Sequence, residues 1–243
     1  MLDQDVKNFY SRLQFPGQYS LDDIQYHSPA PTNPFLKLIN DNIPASSSVL
    51  DIGCGSGYIV NLMAINNPSC RFTCVDFSDA IQYATSFAKQ HQIKNTVYKK
   101  SDFLTYQSNQ TYDVIICQGV LHHIPKFEQA IAKIKSLCAD NGTIILGLYH
   151  PAGKILKKFL TLNYITDVLK QDQEDVPFEI TFTERSITKY FNEYQLVDQY
   201  PKNPVLDFIR RPLQFSKNGG LVTYILKNKL APSDGIEPPS QRS

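Results

Sequence analysis

From Ser47 onward the chain switches regularly between two hydrophobic periods. Short runs of strand length occur at 48–52, 71–77, 96–100, 113–117 and 143–149. Between them, apolar residues recur every three or four positions. Ile59, Leu62 and Met63 mark a helix from about Gly57 to Ala64, and Ile81, Ala84, Phe87 and Ala88 mark a second. Phe127, Ile131, Ile134 and Cys138 mark a third from about Lys126. Strands alternating with helices, with no hairpin turns between them, predict an α/β fold. Its sheet is doubly wound and mostly parallel, with helices on both faces. The fourth and fifth runs are apolar throughout, as strands covered on both faces must be.

Local signals set the expected boundaries. Asn66-Asn67-Pro68 stops the first helix, Ser78 is placed to cap the second with Asp79 in its first turn, and Asp140-Asn141-Gly142 turns the chain into the fifth strand. Two further strands, 196–200 and 221–227, are separated by a stretch with Gly219-Gly220 and no helical period. They are expected to pair antiparallel, giving seven strands with a reversed last one. Thr183 is placed to cap a helix carrying Ile187, Tyr190 and Phe191.

The flanks break this rhythm. Residues 1–45 form an expected N-terminal helical cap rich in aromatics, with Phe9, Tyr10, Phe15, Tyr19 and Tyr26. Asn33-Pro34 is a helix start, with Asn as cap and Pro at the first helical position. This segment reads either as a cap packed on the sheet edge or as a lid whose tyrosines close over a ligand. Residues 46–229 form the main domain. Within it, 151–183 is an insert with an amphipathic stretch, 155–170, and an acidic loop, 171–175. Residues 230–243 read as a disordered tail.

The chemistry concentrates after the first strand, in Asp51-Ile52-Gly53-Cys54-Gly55-Ser56-Gly57. Alternate glycines let a backbone turn sharply and approach a ligand. A helix opening directly behind them presents free N–H groups to an anionic group. Such a loop is the address of a nucleotide-like cofactor in an open α/β sheet. Bulk charge adds no nucleic-acid or membrane-surface partner, because 24 basic residues nearly balance 23 acidic ones. No run is long enough for a membrane span, and the polar start lacks the features of a signal peptide. The five cysteines form no Cys-x-x-Cys pair. They read as small buried hydrophobes of a cytoplasmic protein, with no metal site.

Taken in order, Leu50–Gly57, Val75-Asp76-Phe77-Ser78, Ser101-Asp102-Phe103-Leu104, Tyr112 to His123 and Asn141 to Leu148 resemble the motifs of class I S-adenosylmethionine-dependent methyltransferases. They are most similar to the small-molecule branch that includes quinone-biosynthesis enzymes. The resemblance spans roughly residues 47–150 and implies a Rossmann-like fold. The competing reading is a nicotinamide-dependent oxidoreductase. It is disfavoured by Gly-x-Gly-x-Gly in place of Gly-x-Gly-x-x-Gly, and by the acids Asp51 and Asp102. A third reading is a non-catalytic cofactor-binding regulator or scaffold.

The resemblance implies roles for single residues. S-adenosylmethionine is the cofactor and S-adenosylhomocysteine the product. Gly53, Cys54, Gly55 and Gly57 would border its methionine and ribose. Asp51 would orient its amino group, a role compatible with bonding the loop's own N–H groups. Asp76, followed by Phe77, would accept the ribose hydroxyls through charge-assisted bonds worth roughly 1.5–3 kcal/mol each. Asp102 and the Phe103 N–H would meet the adenine. Gln118 and Gly119 would line the methionine end. Methyl transfer needs the nucleophile held in line, with a base where it carries a proton. His122 and His123 are the candidates for that base, because neutral imidazole suits it near pH 7. The alternative is that one packs and the other bonds a loop carbonyl. Tyr10, Tyr19, Tyr149 and His150 are candidates for the acceptor side. The Asn/Asp-Pro-Pro-aromatic signature of many adenine and glutamine amino-methyltransferases is absent after strand four, so a small or medium acceptor is expected. A monomer or homodimer is the expected assembly.

Overall fold

The computed structural model describes residues 2–12, 17–25, 31, 33–152, 177–206 and 220–229. Phe15, Tyr26, Gly219, the amphipathic stretch 155–170, the acidic loop 171–175 and the tail 230–243 lie outside them.

The chain runs α1 (Leu2–Arg12), α2 (Leu21–Gln25), α3 (Pro34–Asp41), β1 (Ser48–Ile52), α4 (Tyr58–Asn66), β2 (Arg71–Asp76), α5 (Ala80–Gln90), β3 (Thr96–Lys100) and β4 (Tyr112–Gln118). A single 3₁₀ turn (Leu121–His123) leads to α6 (Phe127–Leu137), β5 (Cys138–Tyr149), α7 (Glu184–Tyr190), β6 (Tyr194–Tyr200) and β7 (Leu221–Asn228). One seven-stranded sheet has the order β3-β2-β1-β4-β5-β7-β6. The pairs β1–β2, β2–β3, β1–β4 and β4–β5 are parallel, and β7 is antiparallel to both β5 and β6.

Alternation along the strands sorts their side chains into two cores. Leu50, Ile52, Ile115, Ile144 and Leu146 pack on one face with Ile131 and Ile134 of α6 and Ile187 of α7. Val49, Val114, Ile116, Ile145 and Ile225 pack on the other with Leu36 and Ile39 of α3 and Leu62 and Met63 of α4. Each fully buried aliphatic side chain contributes roughly 1.5–3 kcal/mol. The edge strand β3 leaves Val97 exposed and carries Lys99 and Lys100, charges that discourage pairing with another chain.

The helix starts follow their sequence signals in two cases. The Asn33 side chain accepts the Phe35 N–H at 2.9 Å with Pro34 behind it, and Thr183 and Ser186 form a reciprocal capping box. Ser78 does not cap α5; Asp79 holds the cap position without a side-chain bond, and the Ser78 hydroxyl donates to Asp76 instead. The turn expected at 140–142 lies inside β5. Tyr112 pairs with Cys138 and Val114 with Thr143, so these residues bulge out of a strand that starts earlier than expected. The N-terminal aromatic segment contains two helices, α1 and α2, that the sequence pattern did not delimit.

No helix among the described residues is long and apolar enough to cross a membrane, and these residues hold no group of three or more His, Cys, Asp or Glu able to bind a metal. All five cysteines are free thiols, and four of them are buried.

Candidate functional site

The loop from β1 to α4 is held against the end of β2. The Gly53 N–H donates to the Val75 carbonyl at 2.7 Å, and the Cys54 N–H reaches the same oxygen at 3.4 Å. The Gly55 N–H donates to Asp76 Oδ2 at 2.8 Å, and the Gly57 N–H to the Cys54 carbonyl at 2.9 Å. With these donors engaged elsewhere, Asp51 does not serve as their acceptor. Gly53 has φ +69°, and a Cβ there would overlap the Val120 side chain. Gly57 has φ +84° and meets a packing demand of its own. A Cβ there would lie 2.6 Å from that of Ala84, so it lets α4 start against α5 and does not border the cleft.

At the carboxyl edge of the sheet lies a cleft of about 900 Å³, open to solvent. Gly53 and Gly55 form one wall, Asp76 and Phe77 of the β2 end a second, and Asp102 and Phe103 after β3 a third. Gln118, Gly119 and His123 follow β4, while Val6, Lys7 and Tyr10 of α1 line it as well. Asp51 and Cys54 are not among the residues that line it.

The acids differ in their surroundings. Asp76 accepts from the Ser78 N–H at 2.7 Å, the Ser78 hydroxyl at 2.6 Å and Gly55. Asp51 is 4% exposed, and burial, reinforced by the charge of Asp76, pushes its carboxyl up to about 7. Asp102 accepts the Leu104 N–H at 2.8 Å on one oxygen and the Lys7 ammonium at 2.6 Å on the other. The Gln118 side chain lies over Gly147, where any Cβ would overlap its amide oxygen, and that oxygen accepts from the Thr223 hydroxyl at 3.3 Å.

The two histidines part company. His122 is fully buried, its ring stacked on Tyr149 at 4.0 Å, and it does not line the cleft. His123 lines the cleft, and its Nδ1 is 3.1 Å from the Phe178 carbonyl. A carbonyl can only accept, so Nδ1 carries the proton, and in the neutral ring Nε2 is left with a lone pair. The ring of Tyr10 sits 5.2 Å from that of His123, and the ring of Tyr149 sits 5.6 Å from it. Burial first, then the charges of neighbouring groups including Glu179, push the Tyr10 and Tyr149 hydroxyls up. Of the four acceptor-side candidates, Tyr10 lines the cleft, and Tyr149, beside His123, is not among the lining residues. Tyr19 is outside the cleft, with its hydroxyl on the Ser56 carbonyl at 2.9 Å and on the Asn61 amide at 2.8 Å. His150 is also outside it; its Nδ1 accepts the Ala152 N–H at 3.2 Å, and burial lowers its affinity for a proton.

A family model described as a methyltransferase domain matches residues 44–198, more than half of the chain. The chain belongs to this methyltransferase family. Membership decides against the nicotinamide-binding alternative. A ubiquinone biosynthesis O-methyltransferase from Rickettsia canadensis is 32% identical over 99 residues, covering 40% of this chain and 41% of that relative. The chain therefore spans well under two thirds of the curated relatives it matches. Among solved structures, the N-methyltransferase NodS from Bradyrhizobium japonicum, in complex with S-adenosylhomocysteine, has a TM-score of 0.56 at 16% identity, covering 94% of this chain and 98% of its own. The [4+2]-cyclase SpnF has a TM-score of 0.58 at 11% identity, covering 79% of each chain. At these identities the structures share the fold.

Around this methyltransferase site stand residues that the sequence did not single out. Val6 and Lys7 share one face of α1 with the expected Tyr10, at the i, i+1, i+4 spacing that would have revealed them. Ser78 works on Asp76, and Val120 sets the approach of the loop to β4. Glu179 carried no motif; the contacts of its neighbours place it, with the Phe178 carbonyl on His123 and the Ile180 N–H on the His122 carbonyl at 3.0 Å.

Proposed function

We propose that this chain binds S-adenosylmethionine in the cleft and transfers its methyl group to a small or medium acceptor carrying an oxygen, nitrogen or carbon nucleophile. The observation that carries the reading is the pair of acids Asp76 and Asp102 lining one glycine-walled cleft at the ends of adjacent strands, with Asp51 two residues before its first glycine. The donors and acceptors present fit the cofactor. Asp51, buried and near its titration midpoint, suits an ammonium. Asp76 suits hydroxyl donors, since Gly55 and Ser78 already hold its carboxylate in place. Asp102 with the Phe103 N–H suits an amino-substituted ring, and Gln118 and Gly119 offer backbone oxygens to the methionine end.

When bound, this cofactor supplies a methyl group activated by a positively charged sulfur. The protein's part is to position and to exclude water. His123, which lines the cleft, takes a proton from an acceptor that carries one, while the Phe178 carbonyl favours the tautomer protonated at Nδ1. His122 stacks on Tyr149 and positions that ring beside His123. Tyr10, which lines the cleft next to His123, borders the acceptor. Buried free thiols support a cytoplasmic enzyme. Incubation with methyl-labelled cofactor and metabolite extracts tests the reading. Label in a small acceptor is the expected result. Tight cofactor binding with no labelled acceptor would favour a non-catalytic binder.

A further inference from the structure

The α1 helix does more than cover the sheet edge. Its Val6, Lys7 and Tyr10 line the cleft, and Lys7 Nζ lies 2.6 Å from Asp102 Oδ2. The other Asp102 oxygen holds the Leu104 N–H at 2.8 Å, an intraloop bond that fixes the carboxylate's direction. The Lys7 ammonium thus sits on the oxygen that the loop itself leaves unbonded, where it shares the carboxylate's acceptor capacity with any ligand donor. Both side chains are about a quarter exposed, at 29% and 26%, so solvent screens the pair only in part. Val6 and Phe9, buried on the same helix, dock α1, and the ring of Phe9 meets that of Tyr10 at 5.1 Å.

We propose that Lys7 is a latch residue: its ion pair with Asp102 holds α1 over the adenine end of the cleft, and the cofactor's adenine amino group competes with this ammonium for the same carboxylate. This rests on the reading of Asp102 as the adenine acceptor. Two donors compete for one carboxylate, so cofactor loading weakens the hold of Asp102 on α1. The latch makes Lys7 a competitor of the cofactor and couples the N-terminal helix, which also carries Tyr10 beside His123, to occupancy of the cleft.

S-adenosylhomocysteine titrated by calorimetry into wild type, Lys7→Met and Lys7→Met/Asp102→Ala, at low and high ionic strength, tests this. Methionine keeps the apolar stem, so α1 retains its packing. A partly exposed pair of this kind sets the expected gain for Lys7→Met at about two- to five-fold tighter binding at low salt. Wild type approaches that value at high salt, where the pair is screened. In the same samples without ligand, the amides of α1 exchange faster in Lys7→Met. Affinity equal to or weaker than wild type in Lys7→Met, or unchanged α1 exchange, overturns the latch. On the Lys7→Met background the latch is already gone, so Asp102→Ala isolates the adenine contact. No further loss there removes the adenine assignment itself and the competition with it. No binding by any variant overturns the cofactor reading as a whole.

Discussion

Asp51 carries the sharpest pH prediction. Its carboxyl is buried, has the negative Asp76 as a neighbour, and is pushed from the ordinary 3.8 up to about 7. That gap corresponds to about 4 kcal/mol. The sign follows from where protons are held. Below about pH 4 the group is protonated in folded and unfolded chains alike and contributes nothing to the pH slope. Between about pH 4 and 7 the unfolded chain releases the proton and the folded chain keeps it, so this group lowers stability by about 1.4 kcal/mol per pH unit. Above 7 the loss is complete. Asn has the shape of the protonated acid and never ionises. Asp51→Asn should therefore match wild type at pH 4 and exceed it by up to about 4 kcal/mol at pH 8, a rise in melting temperature of about 10 °C for a chain this size. Urea unfolding of both proteins across this range, with the midpoint and slope compared at each pH, measures it. The cofactor adds the opposite requirement. An ammonium bound at Asp51 needs the ionised form, so affinity for S-adenosylhomocysteine should fall up to tenfold per unit below pH 7 in wild type, and be weak and flat in Asp51→Asn. A stability difference that does not change with pH, or that shrinks as pH rises, would refute the reasoning.

Two other substitutions follow from geometry. Gly57→Ala combines a positive φ with a Cβ 2.6 Å from Ala84, and should destabilise the domain by about 1–3 kcal/mol in thermal unfolding; a neutral result would show that α4 and α5 can separate at no cost. His123→Ala should lower kcat by about 10²–10⁴-fold while leaving affinity for S-adenosylhomocysteine within a few-fold. Equal loss in both would mean that the ring only braces the Phe178 segment.

The parallel core was legible because its central strands had to bury both faces, each crossover helix one, and the strands and helices alternate in strict order. These demands fall on consecutive residues and leave a readable period, so β1 and β3 have the bounds that the pattern predicts. The differences arise where distant partners decide. Asp140-Asn141-Gly142 has strong turn chemistry, yet Tyr112 on one side holds Cys138 in the sheet and the turn residues become a bulge. Ser78 has the chemistry of a helix cap, but the Asp76 carboxylate two residues earlier is the better acceptor partner. Tyr19 has the amphipathic make-up of a ligand-facing residue, and only the fold shows that a buried Asn61 claims its hydroxyl. His122 and His123 are neighbours on one turn. A carbonyl contributed by Phe178, far along the chain, settles which of them faces the cleft. The acids ending β1, β2 and β3 were readable, because strand ends are local and their common edge follows from the topology. The latch partner Lys7 was not, because nothing in the sequence near it names Asp102.

The claim that this cleft is a cofactor site is tested most directly by calorimetric titration of S-adenosylhomocysteine into wild type and Asp76→Ala, with NADH as the control ligand. Removing Asp76 takes away the hydroxyl acceptor and the anchor of the Gly55 and Ser78 donors together. The account predicts one-to-one binding by wild type, at least tenfold weaker binding by the variant, and no heat with NADH. Equal affinity in the two proteins, or binding of NADH in place of S-adenosylhomocysteine, would contradict it.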